Sequence, residues 1–429
     1  MQILIPSNSF QLKGEIKKRI KFAEKQGFNV SNIELGDSPT QTSQVVDELS
    51  KTVLDTSIIN SEPYSTSCNF LVHYSVPQAL DIATAANFLA QNPSHIYIGV
   101  TSDDIVLDIW HTENENRAIF RPKNKNAESG VSLWQSHYAW LLACLALQFS
   151  IDDAVVLANT LVDVSRETWP CDVKEFPSAV LQSKQLGIDY SWFNWPQQLQ
   201  FQPVDTQKFN LYPIVDSSDW VNTLLELDVQ TIQLRIKNFD EKKELEFLQA
   251  VLLGKQKFAQ VFINDNWKKA ISLDAYGVHL GQEDLNEANL REIAQSGLAL
   301  GVSTHGYYEI LKVSSIYPSY IAFGQVFKTH SKNVKSVPLG QDKVKQFCKL
   351  VDSINSSLPT EKHSVATSAI GGIDLSNANS VLSCGVDSLA VIGSICNAPD
   401  VKDAIHSFTR LFNSRPAKSG GVRRLNVNG

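Results

Sequence analysis

The chain has 429 residues, of which 43% are hydrophobic and 19% are charged. This length exceeds one ordinary compact core and predicts two or three domains. The formal net charge of −7 at pH 7 argues against a general nucleic-acid surface and favours small-molecule partners. The most apolar run, Ala139–Leu147, is far shorter than the roughly 20 residues of a membrane span, so no membrane partner is expected.

The six cysteines are scattered, with no CxxC pair and no His/Cys spacing typical of a zinc site. Scattered cysteines favour reduced thiols in a reducing compartment. The N-terminus shows no signal-peptide pattern, because polar residues follow directly after Met1–Phe10. We therefore predict a cytoplasmic protein.

Residues 1–190 carry few clear patterns and predict a smaller α/β domain. Two strands and three helices are predicted, over Met1–Pro6, Ser94–Val100, Gly14–Gln26, Gln135–Leu147 and Ser150–Arg166. A segment rich in Gln, Pro and aromatic residues follows at 191–208 and is predicted to be a linker. The basic tail, 414–429, is predicted to be disordered.

Residues 209–413 alternate short apolar runs with helix-like segments. Eight runs predict strands: Leu211–Asp216, Thr231–Lys237, Ala259–Asp265, Gly277–Gly281, Ala299–Thr304, Tyr320–Gln325, Ser364–Gly372 and Ser388–Ser394. Asp240–Leu253 and Leu285–Gln295 are the clearest helices between them. Eight strands alternating with helices over about 200 residues predict an α/β fold, a (β/α)8 TIM barrel preceded by the smaller domain.

Polar or small residues end all eight predicted strands, at the barrel face that carries ligands in this fold. On the second strand, Gln233, Arg235 and Lys237 occupy alternate positions and therefore share one face. Two cations on a buried face are costly unless an anion offsets them. We predict anion binding at this face; a solvated basic edge strand is the alternative.

Acidic residues follow two neighbouring strands. Asn264 and Asp265 close the third strand, and Asp284 follows the fourth. Carboxylates at two adjacent strand ends can share one Mg²⁺, with water and phosphate oxygens completing its octahedron. Either acid alone is more often a turn residue or a helix cap, so the predicted Mg²⁺ site depends on both.

Hydroxyl groups, a lysine and glycines follow the last three strands. In chain order these residues are Thr329, Ser331, Lys332, Gly372, Ile392 and Gly393. The loops after strands seven and eight form the usual phosphate site of this fold, and glycine lets backbone N–H groups approach phosphate closely. Two anion sites in one barrel mouth predict a reaction between two phosphorylated small molecules.

Seven segments of this half resemble thiamine phosphate synthase, in family order and spacing: QLRIK (233–237), FIND (262–265), GVHLGQED (277–284), GVSTH (301–305), FGQVFKTHSK (323–332), AIGGI (369–373) and AVIGSI (390–395). The resemblance implies a transferase of thiamine biosynthesis. It would join 4-amino-2-methyl-5-(diphosphooxymethyl)pyrimidine to a thiazole phosphate, giving thiamine phosphate and diphosphate by a Mg²⁺-assisted dissociative mechanism.

The resemblance also implies roles for individual residues. The pyrimidine diphosphate would be held by Gln233, Arg235, Lys237, Asn264, Ser303 and Lys332. Mg²⁺ would be held by Asp265 and Asp284, and the thiazole phosphate by Thr329, Ser331, Gly372, Ile392 and Gly393. The catalytic residues would be the three cations that stabilise charge on the leaving diphosphate, Arg235, Lys237 and Lys332.

Two positions near the predicted phosphate site depart from the family pattern. Gln325 stands where Pro is usual, and Gly393 stands where Ser is usual, so a hydroxyl is lost but a backbone N–H is kept. Two alternative functions stay open: a thiazole tautomerase-like enzyme, and a non-catalytic sensor that binds thiamine phosphates. The retained cations and acids argue against the tautomerase, which shares the barrel but not the diphosphate chemistry.

In the first half, the run WLLACLALQFSIDDAVVLANTLV (140–162) resembles the C-terminal helices of the hydroxymethylpyrimidine phosphate kinases, which have the ribokinase-like fold. Those kinases have a small-residue anion hole, matched here by Ser132, Leu133, Trp134 and Gln135. Bulky side chains at these positions would block phosphate, and glutamine cannot act as a base. The resemblance therefore implies a degenerate, non-catalytic domain for dimerisation, substrate retention or regulation; a homo-oligomer stays open.

Overall fold

The computed structural model describes residues 1–48, 50–56, 68–74, 80–112, 115–123, 131–162, 167–190, 192, 199–237, 243–329, 337–359 and 361–415. It contains two compact units, Met1–Phe193 with Gly306–Lys312, and Asn194–His305 with Val313–Gly429. The predicted domain limits at 190, 208 and 413 stay predictions. Most of the predicted tail, 416–429, lies outside the described residues.

A mixed sheet of nine strands forms the centre of the first unit, in the order β2-β1-β3-β4-β5-β6-β7-β8-β9. Its strands are β1 (Gln2–Ile5), β2 (Glu34–Asp37), β3 (Ser43–Val46), β4 (Lys51–Thr56), β5 (Phe70–Tyr74), β6 (His95–Ser102), β7 (Ile105–Thr112), β8 (Glu115–Pro122) and β9 (Ser178–Ala179). A separate two-stranded ribbon pairs β10 (Gln182–Ser183) with β11 (Ile188–Asp189).

Four α-helices and one short 3-10 helix, Val173–Glu175, accompany this sheet among the described residues. The α-helices are α1 (Phe10–Lys25), α2 (Ile82–Gln91), α3 (Val131–Ala146) and α4 (Ile151–Leu161). The two strands and three helices predicted for this half are confirmed, except that the predicted helix Ser150–Arg166 ends at Leu161 and its residues 163–166 lie outside the described residues. Ser150 caps α4, because its hydroxyl oxygen accepts the Asp153 backbone N–H at 3.2 Å.

Eight parallel strands close into a barrel in the second unit, as the sequence predicts. They are β12 (Leu211–Val215), β13 (Thr231–Leu234), β14 (Gln260–Asn264), β15 (Gly277–Leu280), β16 (Ala299–Thr304), β17 (Tyr320–Gly324), β18 (Ala366–Ile370) and β19 (Ser388–Val391). Continuous apolar runs form these strands because both faces of a barrel strand are covered. In the part of the chain that the structure describes, no helix is long and apolar enough to cross a membrane.

Helices follow the barrel strands, so that strand and helix alternate along the chain. They are α5 (Ser218–Glu226), α6 (Glu244–Gln256), α7 (Trp267–Ser272), α8 (Gln282–Glu287), α9 (Leu290–Gln295), α10 (Tyr307–Ser314), α11 (Gly340–Ser356), α12 (Ala378–Leu382), α13 (Gly393–Cys396) and α14 (Val401–Asn413). The predicted helix Leu285–Gln295 is two helices, α8 and α9.

Aromatic side chains fill the barrel interior. Tyr212, Phe262 and Tyr320 belong to one buried cluster with Val204 and Phe209. Val204 comes from the predicted linker, whose last residues pack on the barrel. The Gln202 N–H donates to the Leu298 carbonyl at 3.1 Å, just before β16 begins. This segment therefore lies at the N-terminal end of the strands, and the C-terminal end is left for ligands.

Candidate active site

Gln233 lies in the interior of the barrel, on β13. Its side chain is 2% exposed, and its amide Nε2 donates to the Tyr212 hydroxyl at 3.0 Å. Gln233 pairs in register with Ile214 of β12 and Phe262 of β14, so its position is fixed from both sides. The Gln233 side chain also hydrogen-bonds to the Tyr320 hydroxyl. An amide whose NH₂ group donates to the barrel interior keeps its carbonyl oxygen for a ligand.

The two cations predicted on the same strand face lie beyond the strand. β13 ends at Leu234 because its partner strand β12 ends at Val215, the residue paired with it. The Arg235 N–H still donates to the Val215 carbonyl at 2.7 Å, and Arg235 is half-buried. Lys237 is exposed. The predicted strand Thr231–Lys237 therefore ends three residues earlier, at Leu234, and the common face of the three side chains stays a prediction.

Asp265 and Asp284 meet at the ends of two neighbouring barrel strands. Asp265 follows β14, with φ +60°, and its N–H donates to the His279 carbonyl of β15 at 2.9 Å. Asp284 lies in the first turn of α8, directly after β15. Burial, and secondarily the neighbouring Asp284 carboxyl that hydrogen-bonds to it, raises the pKa of the Asp265 carboxyl to about 6, against the lowering effect of Arg235.

This acidic pair fits a magnesium ion better than a metal that needs several side-chain ligands. Within the described ranges, no group of three or more His, Cys, Asp or Glu side chains could hold a metal ion. Mg²⁺ is commonly held by one or two carboxylates together with water and substrate phosphates. Two carboxyl groups in hydrogen-bonding contact favour a proton or a cation between them.

Ser303, near the end of β16, is half-buried and contacts the imidazole of His279. The His279 Nε2 and Ser303 Oγ atoms are 2.8 Å apart, and the His279 Nδ1 and Tyr320 Oη atoms are 2.7 Å apart. The Gln282 amide donates to the Ser303 carbonyl at 2.6 Å. His279 is thus a core imidazole with both nitrogens hydrogen-bonded. Burial, and secondarily Arg235, lowers its pKa to about 4.

Backbone groups dominate the opposite side of the barrel mouth. Gly372 follows β18 with φ +63°, and the Asn377 amide donates to its carbonyl at 2.9 Å. Ile392 and Gly393 follow β19, and Gly393 begins α13. Thr329 is half-buried after β17. Ser331 and Lys332 lie outside the described residues.

The sequence analysis did not select Tyr212 and Tyr320, whose hydroxyl oxygens are 2.8 Å apart. Both lie in strands among apolar residues, where a tyrosine has the same pattern as a core phenylalanine. The one available signal is chemical, because a tyrosine buried on every side needs a partner for its hydroxyl. Asn264, which the sequence did select, ends β14 half-buried, and its side chain hydrogen-bonds to Asp265.

The fold and this arrangement define a class of protein. A closed eight-stranded barrel carries an arginine and two acids at one part of its C-terminal mouth, and glycine-marked loops after its last two strands. Such a mouth is typical of (β/α)8 enzymes that act on phosphorylated small molecules.

Comparison with known proteins identifies the family. Residues 211–395 match the family model described as thiamine monophosphate synthase. The thiamine-phosphate synthase of Pectobacterium atrosepticum is 42% identical over 212 residues, covering 49% of this chain and 95% of the relative. That of Salmonella typhimurium is 45% identical over 198 residues, covering 46% and 89%. A solved thiamine phosphate pyrophosphorylase from Pyrococcus furiosus is 29% identical with a TM-score of 0.41, covering 48% of this chain and 97% of that one.

The chain therefore belongs to the thiamine-phosphate synthase family. Its enzymatic activity is that of a thiamine-phosphate synthase, a transferase that acts on phosphorylated small molecules. The matched region lies entirely within the barrel unit, except for the short segment Gly306–Lys312.

Proposed function

We propose that the barrel joins 4-amino-2-methyl-5-(diphosphooxymethyl)pyrimidine to a thiazole phosphate. In this reaction the bond between the pyrimidine methylene carbon and the diphosphate oxygen breaks, and its electron pair leaves with diphosphate. The lone pair of the thiazole nitrogen then forms the new carbon–nitrogen bond. The observation that carries the proposal is the contact of Asp265 with Asp284 beside Arg235. This arrangement combines a metal-type acidic pair with a cation, which is the set of charges a leaving diphosphate requires.

We propose that Asp265 and Asp284 hold Mg²⁺. The donor set supports this, because the ion takes few carboxylates when phosphate oxygens complete its coordination. When bound, Mg²⁺ would neutralise charge on the diphosphate. The pKa of Asp265 is raised, which means that its negative charge beside Asp284 is disfavoured. Once Asp265 has lost its proton, the pair therefore favours a cation.

The side chains around this pair are proposed to bind the pyrimidine diphosphate. Arg235, Lys237 and Lys332 would contact the diphosphate, and their attraction grows as negative charge develops on the leaving group. Gln233, Asn264 and Ser303 would hold the pyrimidine. Gln233 is the most buried of these three, which suits an uncharged ring better than a diphosphate.

The thiazole phosphate is proposed to bind at the other side of the barrel mouth, against Thr329, Ser331, Gly372, Ile392 and Gly393. The support comes from Gly372, because a Cβ at this residue would lie 2.7 Å from the Lys328 carbonyl oxygen. Only glycine lets the backbone here come close to its neighbours and to a ligand. Catalysis then consists of positioning two substrates and stabilising charge, and no protein nucleophile is needed.

The full chain, Mg²⁺ and both substrates test this proposal directly. We expect release of diphosphate and formation of thiamine phosphate in equal amounts, measured by phosphate-coupled assay and by chromatography. Omission of the thiazole phosphate should abolish thiamine phosphate formation. Full activity in the presence of a chelator would contradict the magnesium assignment, and binding of both substrates without turnover would contradict the reaction.

For residues 1–190 we propose a non-catalytic, degenerate kinase-like domain. Helix α3 begins at Val131, so Leu133 and Trp134 occupy its first turn. The Trp134 ring packs against Tyr74 at 5.1 Å between centroids, so a bulky ring stands where the kinases have a small residue. We expect no phosphorylation of hydroxymethylpyrimidine phosphate by ATP in a radiolabel assay. Appearance of the diphosphate would contradict this assignment.

We also propose that the enzyme works in a reducing compartment, the cytoplasm. Cys68, Cys171, Cys384 and Cys396 are thiols rather than disulfide partners, which supports this location. Fractionation of cells that produce the natural protein tests the proposal, since recovery from an oxidising compartment would contradict it.

A further inference from the structure

Five polar side chains form an unbroken hydrogen-bonded chain through the interior of the barrel. Its members, in spatial order, are Gln233, Tyr212, Tyr320, His279 and Ser303. The four consecutive distances are 3.0 Å, 2.8 Å, 2.7 Å and 2.8 Å. We call this set the barrel relay. Its two ends, Gln233 and Ser303, are two of the three side chains proposed above to hold the pyrimidine ring, and its three middle members have no assigned role.

Burial fixes how many hydrogens the middle of the relay carries. Tyr212 and Tyr320 are 1% and 0% exposed, and burial raises the pKa of both hydroxyls, so each keeps its proton. Burial also keeps the His279 imidazole neutral, since its pKa is lowered. A neutral imidazole has one N–H, and each hydroxyl has one O–H. Three groups with one hydrogen each must therefore donate in the same direction along the relay.

Only two arrangements satisfy all four hydrogen bonds and also use the hydrogen of Tyr212, Tyr320 and His279 within the relay. In the first, the Gln233 Nε2 donates to Tyr212, Tyr212 to Tyr320, Tyr320 to the His279 Nδ1, and the His279 Nε2 to Ser303. The Ser303 hydroxyl hydrogen and the Gln233 carbonyl oxygen then remain for a ligand. In the second, the Gln233 amide is rotated by half a turn and every bond is reversed, which leaves the Gln233 NH₂ hydrogens and a Ser303 lone pair.

We propose that the barrel relay couples the two ends of the pyrimidine site, so that Gln233 and Ser303 together always present one donor and one acceptor. This inference rests on the proposed roles of Gln233 and Ser303. Tyr212, Tyr320 and His279 are then positioning residues of the reaction. Any arrangement that offers two donors or two acceptors leaves a buried hydroxyl or ring nitrogen without a partner, which is disfavoured.

The coupled ends match the edge of an aminopyrimidine. Such an edge has a ring nitrogen that accepts a hydrogen bond, next to an exocyclic amine that donates one. In the first arrangement the Gln233 carbonyl accepts from the amine, and the Ser303 hydroxyl donates to the ring nitrogen. The hydrogen bond of the ligand to Gln233 therefore fixes the direction of the relay that its hydrogen bond to Ser303 needs. Binding through both residues should be cooperative.

A glycine opposite Tyr320 supplies independent support for the relay. Gly301 pairs with Tyr320 across β16 and β17, and with His279 across β15 and β16. A Cβ at Gly301 would lie 2.1 Å from the Tyr320 Cζ and 2.4 Å from its Oη. Because Gly301 has no side chain, the Tyr320 hydroxyl has room to lie between its two hydrogen-bond partners. Phenylalanine at 320 would fit the same space without the hydroxyl.

Tyr320→Phe in the full chain tests the proposal, with Tyr276→Phe as the matched control. Tyr276 packs against the same interior cluster, but its hydroxyl donates to the Pro203 carbonyl at 3.0 Å and lies outside the relay. We expect Tyr320→Phe to raise the KM for the pyrimidine diphosphate about tenfold, because the direction of the hydrogen bonds at Gln233 and Ser303 is then no longer fixed before the ring binds. The KM for the thiazole phosphate should change less than about twofold, and the control should change neither.

A double-mutant cycle measures the coupling itself. In the wild-type background, the combined effect of Gln233→Ala and Ser303→Ala on the pyrimidine KM should fall short of the product of the single effects by about fivefold. In the Tyr320→Phe background the two effects should multiply to within about twofold. His279→Leu breaks the relay at a second point, and the two effects should multiply in this background as well. It serves as the second test if Tyr320→Phe does not fold, which a measurement of its Tm shows.

The outcomes separate the relay from the site on which it rests. If Gln233→Ala and Ser303→Ala raise the pyrimidine KM but Tyr320→Phe and His279→Leu behave like the control, the relay is overturned and the ring-binding roles stand. If neither alanine variant changes that KM while the wild type is active, the ring-binding roles fail and the relay fails with them. Equal coupling in both backgrounds also overturns the relay.

Discussion

The carboxyl groups of Asp265 and Asp284 hydrogen-bond to each other although they follow different barrel strands. Backbone geometry enforces this contact, since the Asp265 N–H is bound to the His279 carbonyl of the neighbouring strand. Asp265 also has φ +60°, a conformation that few residue types adopt readily. The strand ends thus hold two acids together against their repulsion, which is useful when a cation binds between them.

Asp265→Asn should lower kcat/KM by about 100-fold or more, because it removes one of the two carboxylates proposed to bind Mg²⁺. Asparagine is among the residues that tolerate φ near +60°, so the backbone should be retained. The Mg²⁺ concentration for half-maximal activity should rise. Steady-state kinetics across a magnesium titration, together with a urea unfolding curve, measure both effects.

Asp228→Asn is the matched control for this change. Asp228 also has a positive φ, +64°, but it is exposed and bonds to the Gln230 amide at a distance of 2.8 Å. We expect this variant to keep wild-type kinetics. Equal losses in both variants would indicate a backbone effect, and unchanged kinetics in Asp265→Asn would contradict the metal assignment.

The affinity for Mg²⁺ should depend on pH below about 6. The pKa of Asp265 is raised to about 6, so in the metal-free protein this acid holds a proton below that pH. The cation must displace the proton, and its affinity should therefore fall by up to about tenfold for each pH unit below 6 and level off above it. Isothermal titration calorimetry on the metal-free full chain from pH 5 to 8 measures this. A constant affinity across this range is the contrary result.

The eight barrel strands were predictable because a strand covered on both faces is a continuous apolar run, which stands out in sequence. In the first unit, β7 was not predicted because its apolar run is not continuous. Its four fully buried residues, Leu107 to Trp110, include Asp108, so the run is interrupted by a charge. The Asp108 carboxylate accepts hydrogen bonds from groups outside β7, the Gly99 N–H at 2.9 Å and the Asn159 amide at 2.7 Å.

The candidate site was predictable at strand ends and only in part within the barrel, where Gln233 was selected but Tyr212 and Tyr320 were not. Sequence order alone places Asp265 and Asp284 at adjacent ends. It does not give the end of β13, which depends on where β12 stops, and Lys237 consequently lies beyond the strand. The contact between Tyr212 and Tyr320 joins residues 108 positions apart, and no local pattern encodes such a pair.

Gly393→Ser should lower the KM for the thiazole phosphate severalfold, on the order of 3- to 10-fold, because it adds a hydroxyl that can donate to phosphate. A Cβ at Gly393 would lie 3.2 Å from Nδ2 of Asn397, a tight contact that the end of this flexible side chain can relieve by a small shift. Gly393 does not have a positive φ, so serine fits its backbone. Initial rates at varied thiazole phosphate measure the change, and a raised KM is the contrary result.

Gly372→Ala should act in the opposite direction at the same proposed site. A Cβ there would lie 2.7 Å from the Lys328 carbonyl oxygen and 2.8 Å from the Phe327 Cβ, and φ is +63°. The loop must therefore shift, and we expect the KM for the thiazole phosphate to rise by about tenfold or more, while the pyrimidine KM changes little. An equal rise in both KM values would indicate general damage to the barrel instead of loss of a phosphate site.

The first unit should lose stability as pH falls, because of His137 on α3. This imidazole is 1% exposed and lies 3.0 Å from the Tyr74 hydroxyl, and burial lowers its pKa to about 3. Between the ordinary pKa near 6.5 and this value, the unfolded chain takes up a proton that the folded chain does not. This group alone should therefore reduce the free energy of unfolding by about 2 kcal/mol between pH 7 and pH 5.

His137→Phe removes the titrating group and should make this unfolding free energy less dependent on pH, by about 2 kcal/mol over the same interval. The absolute stability of the variant is not the readout, because the substitution also removes the Tyr74 contact. His111→Phe is the control, since His111 is only half-buried and bonds to Asn116 at 2.9 Å. Urea unfolding followed by tryptophan fluorescence reports mainly on this unit, which contains five of the eight tryptophans, Trp110, Trp134, Trp140, Trp169 and Trp192. Identical pH slopes for the wild type and His137→Phe would show that His137 is protonated equally in both states.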